Sequence, residues 1–111
     1  MLSYVWLRYN LKPNTKVFSF SNSMLLMGNN MRSDYWTKEY KSFFKKAINF
    51  NIIVFHKKLK NKNYEYVIIS EKDIKEFNKE RVYRKLKDMG GAKLFKLVYK
   101  IKGNAWIFKV L

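Results

Sequence analysis

The chain has 111 residues, 24 of them Lys or Arg against 8 Asp or Glu, which gives a formal net charge of +16. Its 48% hydrophobic and 18% aromatic content is enough for one small core, so the composition excludes a wholly disordered tail. The absence of cysteine excludes disulfides and zinc knuckles, and no apolar run approaches the roughly 20 residues that span a bilayer.

The excess of positive charge predicts a polyanionic partner. A compact monomer at +16 repels itself, and a bound polyanion offsets that repulsion. Nucleic acid is the first candidate and an anionic membrane surface is the second. Lysine far outnumbers arginine, which favours phosphate contact over bidentate reading of bases.

The residue usage points to the kind of genome that encodes the chain. The frequent Lys, Asn, Phe, Tyr and Ile are residues of AT-rich codons and indicate an organelle gene, in first place mitochondrial, with an AT-rich bacterium, phage or nuclear gene as alternatives.

Residues 1–32 are predicted to form an extended arm that becomes ordered on its partner. Tyr4, Trp6 and Arg8 stand at the even spacing of a strand, and Pro13 then interrupts regular structure.

Residues 33–111 are predicted to form an α+β domain with two helices and two β-hairpins. The first helix is expected to begin at a Ser33 cap and to end near Asn49. Its apolar positions recur at helical spacing: Trp36, Tyr40, Phe43, Phe44 and Ala47. The first hairpin would join strands at 51–56 and 64–70 through a lysine-rich turn.

The second helix is predicted to follow a capping box of Ser70 and Asp73 and to end at Gly90-Gly91. Its apolar positions are Ile74, Phe77, Val82, Leu86 and Met89. The five-residue step between two of them allows a break near Asn78.

The second hairpin is predicted to turn at Gly103-Asn104, a pair that suits a two-residue loop. That turn sets the expected pairs Ile101–Trp106, Tyr99–Phe108 and Leu97–Val110. One face would then be wholly apolar and include Phe95. The other face would carry Lys96, Val98, Lys100, Lys102, Ile107 and Lys109.

Three lysine patches are the candidate RNA-binding residues, together with Arg8 in the arm. The first, on the helix, is Lys38, Lys41, Lys45 and Lys46; the second, on the turn, is Lys57, Lys58, Lys60 and Lys62; the third, at the C-terminal hairpin, is Lys93, Lys96, Lys100, Lys102 and Lys109. One such patch alone is typical of a solvated surface. Three of them at this net charge favour RNA.

Catalytic residues are hard to assemble, and we expect neither an enzyme nor a cofactor or metal site. His56 stands beside Lys57 and Lys58 with no identifiable carboxylate to orient it, so a phosphate contact or a strand-end role is favoured over a general base. Six acids, Glu65, Glu71, Asp73, Glu76, Glu80 and Asp88, mostly alternate with basic residues, as on a solvated helix. Trp6 or Tyr4 could stack on a base, although burial is the commoner fate of such residues.

The C-terminal third resembles the first, RNA-binding KH-domain region of the small-subunit ribosomal protein three family. In that family an acidic-then-basic helix leads through a glycine into a β-hairpin. The matching pieces here are Ser70–Phe77 and Arg81–Gly90 for the helix, Lys93–Leu97 for the first strand, Lys102–Asn104 for the turn and Trp106–Val110 for the second strand. Trp6–Leu11 is also similar to the leading arm of that family.

The sequence departs from that family in several ways, and one of them is a helix longer than expected. Residues 24–69 have no clear counterpart, and the Gly-x-x-Gly loop that grips RNA in KH domains is missing. The resemblance therefore implies the amino-terminal part of a divided protein, whose C-terminal part is encoded separately.

Taken together, we expect a structural constituent of a ribosome, in the small subunit and the mitochondrial matrix, with rRNA and neighbouring ribosomal proteins as partners. The alternative is a peripheral accessory subunit of a mitochondrial respiratory membrane complex, with its lysines against cardiolipin. A small endonuclease is a third hypothesis, which would need the acids Glu71, Asp73 and Glu76 in one pocket.

Overall fold

A computed structural model of the chain describes residues 3–20, 29–33, 37–47, 51–71, 79–91, 93–101 and 105–111. In chain order its elements are α1 (Ser3–Asn10), β1 (Val17–Ser19), α2 (Lys38–Ala47), α3 (Ile52–Asn61), β2 (Tyr66–Ser70), α4 (Lys79–Gly91), β3 (Phe95–Ile101) and β4 (Ala105–Val110). The predicted α+β class is confirmed. The Cα radius of gyration of 12.6 Å is close to the value of about 13 Å expected of one domain of this length.

The strands form one mixed sheet in the order β1-β2-β4-β3. β1 and β2 are parallel, and the β2–β4 and β3–β4 pairs are antiparallel. Helices α2 and α3 lie between the parallel strands along the chain, because a parallel pair needs a long crossover connection.

Both faces of this sheet are covered. Helices α2, α3 and α4 pack on one face around a largely aromatic cluster, and Leu7 of α1 packs on the other face against Ile68 and Ile107. In β2 the side chains alternate between the two clusters, so Val67, Ile68 and Ile69 are all buried. Double coverage explains the unbroken apolar run in this strand.

The extended arm predicted at the N-terminus is wrong for residues 3–10, which form α1. The helical signal is the pair Leu7 and Leu11, one turn apart, with the Leu11 amide donating to the Leu7 carbonyl at 2.9 Å. Leu7 is fully buried on the sheet. Pro13 lies in the turn that follows, as its ring chemistry predicts.

Helix α2 begins later than predicted. Thr37 caps it, since the Thr37 hydroxyl accepts from the Tyr40 amide at 3.1 Å. The predicted cap, Ser33, is wrong: it lies before the helix, and its buried hydroxyl has no hydrogen-bond partner among the described residues. The helix ends at Ala47 in the structure, close to the predicted end at Asn49, and Trp36 falls outside the described residues.

The first predicted hairpin is wrong because residues 52–61 form α3 instead of a strand and a turn. The apolar run Ile52 to Phe55 has strand-like residue types, but burial follows helical spacing, with Phe55 and Leu59 fully buried four residues apart. The predicted strand at 64–70 is confirmed as β2, and its partners are β1 and β4.

A side-chain cap fixes the start of α3, and its loss gives a test of this element. The Asn51 side chain accepts from the Val54 amide at 2.8 Å. We expect Asn51→Ala to lower the free energy of unfolding by about 1 kcal/mol, because the amide loses its partner. Urea unfolding measures the change, with Asn61→Ala at the other end of the helix as control. Equal values for both variants would contradict the cap.

Helix α4 confirms the second predicted helix over residues 79–91, including its end at Gly91. The predicted capping residue Asp73 and the break near Asn78 lie outside the described residues, as does the turn Gly103-Asn104.

The C-terminal hairpin is confirmed, but its predicted register is wrong. Leu97 pairs with Phe108, Tyr99 with Ile107, and Ile101 with Ala105, with an irregularity between Leu97 and Tyr99. An extra residue in one strand moves the following side chains to the opposite face. Tyr99, predicted beside Phe108, therefore pairs with Ile107 on the other face. Ile107, predicted on the lysine-bearing face, is fully buried because α1 covers that face, and Leu97, predicted on the apolar face, is 45% exposed.

Candidate nucleic-acid interface

Helix α2 separates an apolar face from a basic face. Its buried residues are Tyr40, Phe43 and Ala47. The exposed residues Lys38, Ser42 and Lys46 are four apart, so they form one row along the helix.

The last turn of α3 brings a second lysine row to the first. Lys58 and Lys62, also four residues apart, line a cleft of ≈ 360 Å³ together with Lys38, Glu39, Ser42, Phe43 and Lys46 of α2. We call this cleft the lysine groove. Its described lining residues carry four ammonium groups and one carboxylate, so their electrostatic potential favours anions.

Lys62 is held in place at the edge of the groove. Its ammonium lies 5.7 Å from the centroid of the Phe43 ring, and its carbonyl accepts from the Lys16 ammonium at 2.6 Å. Lys16 itself lies over the Tyr64 ring, 4.5 Å from the centroid. Tyr64 in turn donates its hydroxyl to the Ser33 carbonyl at 2.6 Å. These contacts connect the groove to the core.

A second cleft, of ≈ 380 Å³, lies where the end of α3 meets β4. Lys60 and Lys109 line it, together with Tyr64 and the acidic Glu65. The Val110 amide donates to the Glu65 carbonyl at 2.9 Å, which fixes β4 beside the segment after α3. This cleft has two lysines and one acid, so its positive charge is weaker than that of the lysine groove.

The structure thus joins parts of the first two predicted patches and divides the third. The groove takes Lys38 and Lys46 from the first patch and Lys58 and Lys62 from the second. The other described candidates are exposed but line neither cleft: Arg8, Lys41, Lys45, Lys57, Lys93, Lys96 and Lys100. Lys102 falls outside the described residues.

The side chain of His56 contacts the end of the chain and β3. Its Nε2 lies 3.1 Å from the main-chain oxygen of Leu111, and its ring packs edge-to-face on Phe95 with centroids 5.5 Å apart. Within the described part of the chain, no group of three or more His, Asp or Glu side chains could hold a metal ion.

Trp6 is half-buried and stacks on Tyr99, with ring centroids 5.0 Å apart. Of the two roles expected for Trp6, burial and stacking on an RNA base, the structure therefore shows packing against the sheet.

One buried cation, Lys85, was not among the residues predicted from the sequence. Lys85 of α4 is 4% exposed, and its ammonium lies 5.1 Å from the centroid of the Phe55 ring. Burial lowers the pKa of the Lys85 amine to about 8, and the carboxylate of Asp88 opposes this shift. The available signal was its position one turn before Met89, on the apolar side of the helix.

Comparison with known proteins gave no match to a family model and none to a curated protein. None of the helices in the described part of the chain has the length and hydropathy of a membrane span.

Proposed function

We propose that the protein is a structural, RNA-binding component of the mitochondrial ribosome, in the small subunit. The observation that carries this proposal is the convergence of lysines from α2 and α3 on one groove, in a chain of net charge +16. Release of counterions from RNA phosphates makes such binding favourable and sequence-independent.

The assignment to a ribosome draws on two further features. Residue usage is typical of an AT-rich organelle gene, and residues 70–110 resemble the first KH-domain region of the small-subunit ribosomal protein three family. In this proposal the lysines neutralise rRNA phosphates while α2 and α3, packed on the sheet, hold these lysines in position. Neighbouring ribosomal proteins, among them a separately encoded C-terminal part of the same protein, are the other partners.

Salt dependence tests the RNA-binding part of the proposal. We expect the affinity of the protein for purified small-subunit rRNA to fall by about 1,000-fold or more between 50 and 200 mM salt, because six or more phosphate contacts are lost to counterion competition. A filter-binding titration at several salt concentrations measures this change. Binding that is insensitive to salt would contradict the proposal.

Sedimentation of detergent-solubilised mitochondria tests the ribosomal part. Migration with small-subunit particles would support it. Migration with respiratory complexes would overturn it and favour an accessory subunit bound to cardiolipin.

A further inference from the structure

We propose that the lysine groove binds the sugar–phosphate backbone of a single RNA strand without reading its bases. This inference rests on the proposed function, and it adds where RNA binds and which part of RNA is recognised.

The groove has cations on both of its walls. Lys38 and Lys46 are eight residues apart on α2, so their row is about 12 Å long. Lys58 of α3 and Lys62, the residue that follows this helix, line the groove from the side of α3. A row of this length is longer than the spacing of successive phosphates along a strand, so it can face at least two of them.

The lining chemistry suits phosphate. The cations among its described lining residues are all lysines, which bind phosphate as point charges. The exposed Ser42 hydroxyl between the two lysines of α2 can donate to a phosphate oxygen.

The described lining of the groove offers no free aromatic ring to a base. Among the described lining residues Phe43 is the one aromatic residue, and it is 4% exposed and has the Lys62 ammonium over its ring. Sequence-tolerant binding of single strands through their bases depends on open aromatic rings. The groove therefore recognises the backbone alone, so different bases should bind equally.

The contacts of Lys62 also make the groove partly preformed. The Lys16 ammonium donates to the Lys62 carbonyl, and Phe43 lies beneath the Lys62 side chain. A side chain that is already positioned loses less conformational entropy when the ligand binds.

Fluorescence anisotropy with a labelled 15-nucleotide oligouridylate tests the proposal on the full chain. The double variant Lys46→Gln/Lys58→Gln should bind about ten-fold more weakly at 0.1 M salt, and the slope of log K against log salt should be smaller by about 1.4, or 0.7 per lost phosphate contact. The control Lys12→Gln/Lys87→Gln removes the same charge from exposed positions outside the groove. It should change the affinity about two-fold at most.

A second variant separates the shape of the groove from its charge. Ser42→Leu leaves the net charge unchanged and fills the middle of the groove without adding an aromatic ring, so we expect about a ten-fold loss of affinity. Asn61→Leu, exposed at the end of α3 and outside the groove, should bind as the wild type does. Circular dichroism and thermal unfolding confirm that each variant is folded.

The outcomes distinguish this inference from the function it rests on. If the wild type binds oligouridylate with steep salt dependence but groove and control variants behave alike, the groove assignment is overturned and RNA binding stands. If the wild type does not bind RNA, both fail. Tighter binding of oligoadenylate than of oligouridylate, or effective competition by polyglutamate, would also overturn backbone recognition. Equal affinity for the two oligonucleotides and weak competition by polyglutamate would support it.

Discussion

Replacing Phe18 of β1 with alanine is expected to lower the free energy of unfolding by about 4 kcal/mol. Phe18 is fully buried, and rings from the residue after β1, from α2 and α3, and from the segment before β2 surround it: Phe20, Tyr40, Phe43, Phe44, Phe55 and Tyr64. The variant loses the transfer free energy of a large ring and leaves a cavity that these rings cannot fill. Urea unfolding followed by circular dichroism measures the change.

The size of this effect can prevent folding, since small domains are stable by only about 5–15 kcal/mol. Phe18→Leu gives a milder test, with an expected loss of about 1–2 kcal/mol. Tyr9→Ala is the control, because Tyr9 is 72% exposed and its removal should cost less than about 0.5 kcal/mol. A small effect of Phe18→Ala would show that residues 17–20 are not part of the core.

The buried Lys85 should make stability depend on pH. Its pKa is about 8 in the folded protein and 10.5 as an ordinary lysine. Below about pH 8 both states hold the proton, and the cost of the buried charge is fully present. Between pH 8 and 10.5 the unfolded state binds more protons, so the free energy of unfolding rises with pH. Relative to that of Lys85→Met, the free energy of unfolding of the wild type should rise by about 2–3 kcal/mol between pH 7 and 10.5.

Urea unfolding of both proteins at several pH values measures this difference, in which the titration of all other groups cancels. Lys87→Met on the same helix is the control, since Lys87 is exposed. The free energy of unfolding of Lys87→Met should differ from that of the wild type by the same amount at every pH. A constant difference for Lys85→Met as well would contradict the lowered pKa.

Particular elements show how far sequence patterns reach. Helix α2 was predictable because its apolar and basic residues repeat with the period of a helix, and that period also placed Lys38 and Lys46 on one face. Strand β2 and the C-terminal hairpin were predictable from dense β-branched and aromatic residues. Helix α3 was not, because its first turn has strand-like residues and only burial of Phe55 and Leu59 decides for a helix.

The candidate site was predictable in its chemistry but not in its geometry. Four of the predicted lysines meet in the lysine groove, yet the sequence placed Lys58 and Lys62 on a hairpin turn. Their approach to α2 depends on α3 being a helix, because helical spacing is what brings residues four apart onto one side. Because residues 52–61 were predicted as a strand and a turn, the meeting of these lysines with α2 could not be predicted.

The sequence by itself determined the α+β class, the basic character of the surface and the absence of cysteine chemistry, because these depend on residue types and short-range periodicity. Tertiary structure decided the helix at residues 3–10, the helix at 52–61, the hairpin register and the groove. Each of these depends on which surfaces are buried against each other. Ile107 is buried because α1 covers the second face of the sheet. The alternation of residue types along one strand does not show whether another element covers that face.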